Sequence, residues 1–195
     1  MDPASVLVTR ITELTVGRSK PLIVALDGRS AAGKSTLAAR VAPMVEAKII
    51  DGDDFYSGGT AAEWDAMTAP EKVDHCIDWR RQRPVLEVLS RGEAAAWFSY
   101  DWAADDGRLA SQSTTCEPAR VVVLEGVYSA RPELADLTDL RVLYDAPAEM
   151  RRERLVLREG EDYRVEWNAR WDEAEKWYFG VVMPREAFDL VIPAT

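Results

Sequence analysis

Apolar runs of strand length recur along the chain, separated by stretches with helical spacing or turn-forming residues. Pro21–Asp27 (P-L-I-V-A-L-D) is the first, and Ala47-Lys48-Ile49-Ile50-Asp51 is a second, shorter one. Val121-Val122-Val123-Leu124 is an unbroken, mostly β-branched run, the pattern of a central parallel strand covered on both faces. Leu140–Tyr144 and Asp189–Ile192 complete the set. Between them, residues 3–16 have the spacing of an amphipathic helix, with Asp2 as its cap and Pro3 in its first turn. A helix follows the first strand and is expected to end or kink near Pro43. Asp78–Arg91 is a helix candidate interrupted early by Pro84, Pro147–Arg158 is a helix, and another runs from about Glu166 to Val181. Residues 57–76 read as mobile loop and short helix, and 158–165 as a charged loop. Residues 94–117 alternate around Asp105-Asp106-Gly107, which suggests a small β-ribbon. Strands alternating with helices predict an α/β fold: about five parallel strands with helices on both faces. The 195 residues suit one domain, and no internal repeat, biased tract or linker is visible.

The segment between the first strand and its helix reads Gly28-Arg29-Ser30-Ala31-Ala32-Gly33-Lys34-Ser35, the G-x-x-x-x-G-K-S phosphate-binding loop. Strand, glycine loop and helix occur in the order that loop requires. Gly28 and Gly33 let the backbone bend and aim its N–H groups at an anion, and the helix N-terminus adds its positive end. Ser30, Ala31, Ala32 and Thr36 complete the expected cradle for a nucleoside triphosphate. Lys34 is expected on the β and γ phosphates and Ser35 on Mg²⁺. The expected cofactors are therefore ATP and Mg²⁺.

Net charge limits the partners. At −10 the chain lacks the basic face that a nucleic acid or an anionic membrane surface needs. No apolar run approaches the ~18 residues of a membrane span, and the N-terminus lacks a basic start with an apolar stretch. Cys76 and Cys116 have no metal-type spacing and read as reduced thiols, with a lone disulfide left open. These features suggest a cytoplasmic protein acting on a small molecule. Self-association is left open.

A second constellation closes the Ile49–Ile50 strand: Asp51-Gly52-Asp53-Asp54-Phe55-Tyr56. Strand C-termini in open α/β sheets face the ligand crevice, and carboxylates gathered there repel unless a cation or a proton-donating hydroxyl joins them. Asp53 is the candidate for accepting an acceptor's proton, and with Ser35 and Glu125 for holding Mg²⁺. Glu125 directly follows the 121–124 run.

The phosphate loop, D-x-D-D-F-Y at 51–56, Asp78-Trp79-Arg80-Arg81, Tyr100-Asp101-Trp102, V-V-V-L-E-G at 121–126 and then an arginine-rich helix resemble, in collinear order, the uridine kinase family and its larger group with phosphoribulokinase, pantothenate kinase and nicotinamide riboside kinase. The resemblance covers nearly the whole chain. The D-D-F-Y and Y-D-W segments are what point to this group. It implies a general base at Asp53, a metal-holding acid at Glu125, and an acceptor pocket drawing on Tyr56, Asp78, Tyr100, Asp101 and Trp102. The family commonly places a histidine shortly after the Y-D-F stretch to read the base. Here Ala103 to Gly107 offer none, and Arg108 is the replacement candidate or reads a different acceptor.

Arg151, Arg154 and Arg158 share a helix face at i, i+3, i+7, and such a stripe calls for an anion. The resemblance places the phosphate-clamping lid here, about 151–170, with Arg151 and Arg154 catalytic and Arg158 on the nucleotide. A solvated face paired with Glu149, Glu153 and Glu159 is the plainer reading. The lid departs from the family in carrying the acidic turn Glu159-Gly160-Glu161-Asp162-Tyr163 where the family has an arginine-rich one, and Arg164 or Arg170 is the candidate substitute. His75, the only histidine, reads as an exposed loop residue. Trp167, Trp171 and Trp177 read as helix packing, and Trp64, Trp79 and Trp97 fall in or near the acceptor-side excursion at about 52–117.

The expected activity is ATP-dependent phosphorylation of a hydroxyl on a small molecule, a uridine- or cytidine-like nucleoside first. Another ribosyl compound, an unrelated alcohol, and a nucleotide-binding regulator without transfer chemistry remain alternatives. A GTPase switch would need an N-K-x-D motif, and the chain has none.

Overall fold

The computed structural model describes residues 2–104, 106–159 and 165–194, without the side chains of residues 159 and 165–167. In chain order the helices are α1 (Pro3–Thr15), α2 (Lys34–Val45), α3 (Ala61–Ala66), α4 (Ala69–Cys76), α5 (Trp79–Ser90), α6 (Ala148–Glu159) and α7 (Val165–Trp177). The strands are β1 (Leu22–Asp27), β2 (Ala47–Asp51), β3 (Ala95–Trp97), β4 (Thr114–Cys116), β5 (Val121–Glu125), β6 (Leu140–Asp145) and β7 (Leu190–Pro193). Five of them form a parallel sheet in the order β2-β5-β1-β6-β7, and β3 and β4 pair as an antiparallel ribbon.

Side-chain alternation along β1 explains the layers. Leu22, Val24 and Leu26 point to one face, where Leu7 and Ile11 of α1 and Leu37 and Val41 of α2 cover them. Ile23 and Ala25 point to the other, onto Leu86 and Leu89 of α5 and Ala174 of α7. β1 is buried along its whole length, as is β5, which is why both read as continuous apolar runs. The register sets the site. Leu26 pairs with Glu125, and Asp51 pairs with the same Glu125. The C-terminal ends of the three strands are thus level, with Asp27, Asp51 and Glu125 along one edge. Gly52 makes this possible, because a Cβ there would lie 2.8 Å from the Glu125 carbonyl oxygen.

Local expectations met several outcomes. Asp2 caps α1, accepting from the Ser5 N–H at 3.2 Å. α2 does not stop at Pro43 but runs to Val45, where Glu46 turns left-handed at φ 53°. α5 likewise continues through Pro84. Residues 57–76 are more ordered than their polarity suggested: Thr60–Glu63 and Thr68–Glu71 each form a reciprocal cap, starting α3 and α4. α7 is followed by a π-helical turn at Tyr178–Val182. The acidic turn at 160–163, Arg164, Asp105 and the Trp167 side chain lie outside the described residues. Among the described residues no helix is long and apolar enough to cross a membrane.

Candidate active site

The phosphate loop is built from the end of β1. Gly28 has φ 151°, and a Cβ there would stand 2.5 Å from the Tyr144 carbonyl oxygen, so only glycine fits. Ala31 and Gly33 are also at positive φ, 60° and 96°, turning the chain into the α2 N-terminus. Lys34 is buried, and its Nζ donates to the Gly28 and Arg29 carbonyls at 2.8 and 3.1 Å.

Beneath the loop lies Asp27, fully buried, which the sequence reading did not single out. Its Oδ1 accepts from the Gly28 and Tyr128 N–H groups at 2.7 and 3.0 Å, and its Oδ2 from the Ala130 N–H and the Tyr178 hydroxyl at 2.9 and 2.8 Å. One carboxylate therefore ties the loop to the segment after β5 and to the end of α7. Burial pushes its pKa up to about 6 against the pull of those donors and of Lys34. Tyr128 is held at φ 68°, an uncommon conformation for a bulky residue.

Above the loop opens a cavity of about 890 Å³. Ser30, Ala31, Gly33, Lys34, Ser35 and Thr36 line one end, and Arg154 and Arg158 overhang it. Arg154 donates from Nη1 to the Ala32 carbonyl at 2.5 Å. Asp51, Asp53 and Glu125 form the side wall. Burial raises the pKa of Asp53 while Lys34 and Arg158 pull it down. Burial also raises Glu125, opposed first by a hydrogen bond from the Ser35 hydroxyl, and raises Asp51, where Asp53 adds to the effect. The opposite end is aromatic. Tyr56 stacks on Trp102 at 5.0 Å and 15°, with Trp171 edge-on at 6.4 Å, and Cys76, Ile77 and Val127 close the floor.

Other expected site residues sit elsewhere. Arg108 does not line this cavity: it ion-pairs with Asp106 on the surface. Asp78 caps α5 through the Arg80 N–H at 3.1 Å. Asp101 accepts from the Ala103 and Ala104 N–H groups, bracing the turn that carries Trp102. Tyr100 is buried behind Tyr56 and Trp102. Asp54 turns away to accept from Trp97 Nε1 at 2.7 Å. Arg151 is not among the residues lining the cavity; its Nη1 lies 3.8 Å from Glu175. Arg170 pairs with Asp65 at 2.6 Å, locking α7 to α3. His75 is exposed on α4. Trp171, expected to be helix packing, is on the cavity wall. Both cysteines are free and buried.

Ser35, Glu125 and Asp53, a hydroxyl and two carboxylates, are hard oxygen donors lining the same cavity. Such a set fits Mg²⁺, which keeps several waters and takes one or two carboxylates together with substrate phosphates.

No protein-family model matches the chain. Over 152 residues it is 28% identical to a uridine kinase of Deinococcus deserti, covering 75% of this chain and 72% of that protein. In fold it is similar to a structure described as a possible uridine kinase from Bacillus stearothermophilus, with TM-score 0.70 at 18% identity over 98% of this chain and 97% of the other. It also resembles a D-glycerate 3-kinase from Cryptococcus neoformans, with TM-score 0.65 at 10% identity over 100% and 96%. The chain is thus similar to uridine kinases in sequence and has the fold of P-loop kinases.

Proposed function

We propose that the chain, as a small-molecule kinase of the P-loop fold, moves the terminal phosphoryl group of ATP to a hydroxyl of a neutral acceptor, a pyrimidine nucleoside first. One observation carries this reading: a single cavity is lined by the phosphate loop with Arg154 and Arg158, by Asp53, and by the aromatic residues Tyr56, Trp102 and Trp171. The volume, about 890 Å³, lies in the upper part of the range for small-molecule sites.

The loop amides and Lys34 bind the phosphate tail. Ser35, with Glu125 and Asp53, would hold Mg²⁺, which when bound would offset phosphate charge. Asp53 accepts the hydroxyl proton as the acceptor oxygen bonds to the γ phosphorus and the bond to the bridging oxygen of ADP breaks. Burial favours this role, because a carboxylate of raised pKa is a stronger base. Arg154 and Arg158 neutralise the moving group. Positioning and fixed charge carry the rate enhancement.

The cavity's polarity restricts the acceptor. Among the described residues the cavity's cations are Lys34, Arg154 and Arg158, and none of the aromatic residues that line it, Tyr56, Trp102 and Trp171, carries a charge. A carboxylate acceptor would have to bury its charge there unpaired. A flat, uncharged ring suits the Tyr56–Trp102 surface instead. A panel of uridine, cytidine, other ribosyl compounds, polyols and D-glycerate, read as ADP release, tests the proposal. Inert uridine and cytidine beside an active alcohol would replace the nucleoside with that alcohol. ATP binding without acceptor-dependent ADP across the panel would favour a nucleotide-binding regulator.

A further inference from the structure

Tyr128 follows the end of β5, lines the cavity beside Gly126 and Val127, and has no part in the mechanism above. Its backbone stands at φ 68°, a conformation that is costly for a bulky side chain and persists only where the surroundings fix it. Asp27 does the fixing. Its Oδ1 accepts from the Tyr128 N–H at 3.0 Å and its Oδ2 from the Ala130 N–H at 2.9 Å. The same Oδ2 accepts from the Tyr178 hydroxyl, and the Tyr178 ring packs edge-on against the Tyr128 ring with centroids 4.8 Å apart. The ring is 1% exposed, yet among the described residues its hydroxyl makes no hydrogen bond, and that oxygen is not sealed as the orphaned Ser129 hydroxyl beside it is. A buried tyrosine ordinarily spends its O–H on a partner. Here a strained backbone holds a buried ring whose polar tip is unspent at a cavity wall. Burial, with Cys76, Glu175 and Asp27 adding to it, keeps the phenol pKa well above its ordinary range, so the group is a neutral donor. Cys76 lines the same cavity, and its thiol is pushed up by burial and then by Asp53, which ties Tyr128 to the stretch of wall that holds Asp53.

We propose that Tyr128 is a specificity-determining residue whose hydroxyl hydrogen-bonds a neutral polar group of the acceptor, beside the hydroxyl that Asp53 deprotonates. This assignment rests on the phosphoryl-transfer reading above. A phosphate is the poorer partner for this oxygen, because the carboxylates Glu175 and Asp27 outweigh Arg131 in the field around it. A hydroxyl, an amide or a ring carbonyl takes the O–H without meeting that repulsion. An acceptor with such a second group is favoured over a simple alcohol, since a site built to hydrogen-bond a substrate group rejects the analogue that lacks it.

The test uses the full chain, steady-state ADP release, and titration calorimetry with AMP-PNP and Mg²⁺. Tyr128→Phe deletes one oxygen and keeps the ring, its packing on Tyr178 and the backbone N–H on Asp27. With uridine, or with the panel member that proves active, kcat/KM for the acceptor should fall roughly three- to tenfold, the scale of one neutral hydrogen bond. AMP-PNP affinity should stay within about twofold, and the melting temperature should not fall, because the oxygen has no partner inside the fold to lose. A merely structural tyrosine predicts the reverse: a lower melting temperature with kcat/KM unchanged. An unchanged kcat/KM overturns the proposal. So does a loss of AMP-PNP affinity that matches the loss in kcat/KM, which would put the hydroxyl on the nucleotide. A variant that melts several degrees lower overturns it as well, since the hydroxyl would then be holding the fold. A wild-type chain that binds AMP-PNP but turns over no member of the panel refutes the phosphoryl-transfer reading itself, and the role of Tyr128 falls with it.

Discussion

Asp27 offers a prediction whose size comes from the structure. Its carboxylate is fully buried under the phosphate loop, and burial pushes its pKa up to about 6 from an ordinary value of 3.8. A group that holds its proton more tightly when folded stabilises the fold most where it is protonated in the folded chain. That contribution is complete below about pH 4 and is lost as pH rises through 6. At about 1.4 kcal/mol per pH unit, the whole loss is about 3 kcal/mol, of which about 1.4 kcal/mol falls between pH 5 and pH 7.5. Asp27→Asn removes the titration. It also sets an NH₂ group against donors: whichever way the amide turns, it meets either the Gly28 and Tyr128 N–H groups or the Ala130 N–H and the Tyr178 hydroxyl. With the NH₂ toward Ala130 and Tyr178 the hydroxyl turns to accept from it, so one displaced N–H donor is left unpaired, and the variant should be less stable by about 1–3 kcal/mol. Urea unfolding of both proteins from pH 5 to pH 7.5 checks this. The stability gap between wild type and variant should narrow by about 1.4 kcal/mol as pH rises from 5 to 7.5. A gap that stays flat, or widens, would mean that Asp27 remains an anion throughout, satisfied by its four donors, and the burial argument would fail.

Other outcomes follow from the same geometry. Asp53→Asn should lower turnover by roughly 10²–10⁴-fold with AMP-PNP affinity retained, and unchanged turnover would remove Asp53 from the chemistry. Trp102→Ala exposes one face of Tyr56, so the acceptor KM should rise roughly tenfold, the worth of one aromatic stack, while the KM for ATP holds; steady-state kinetics with varied acceptor decides it. Gly28→Ala places a methyl 2.5 Å from the Tyr144 carbonyl oxygen, a contact that backbone must move to relieve. It should abolish AMP-PNP binding or lower the melting temperature by several degrees, and a variant with neither change would contradict the tight approach of β1 and β6.

The phosphate loop, the five parallel strands and the acids at the strand ends, Asp53 and Glu125, were legible in the sequence because each is local. A glycine spacing, an apolar run or an acid at a strand end carries its signal within a few residues. What was missed is where distant segments meet. Nothing around Asp27 marks it as the acceptor for Tyr128, Ala130 and Tyr178, and nothing around Glu175 marks Ser30 as its partner. The misreadings share this cause. Arg108 looked like a ligand residue because of its order along the chain, but Asp106 lies close enough to satisfy it on the surface. Trp171 looked like packing because its spacing is helical, yet helix α7 crosses the cavity, and one face of it touches the acceptor wall through Trp171 while the next turn reaches the phosphate loop through Glu175. That crossing also explains why α7 is braced at several points: Arg170 on Asp65, Lys72 on Glu173, and Tyr178 just beyond its end on Asp27. A helix that contacts both ends of one cavity cannot shift at one end without disturbing the other. Substitutions that loosen the α3 and α4 braces should therefore be felt at the phosphate loop as well as at the aromatic wall.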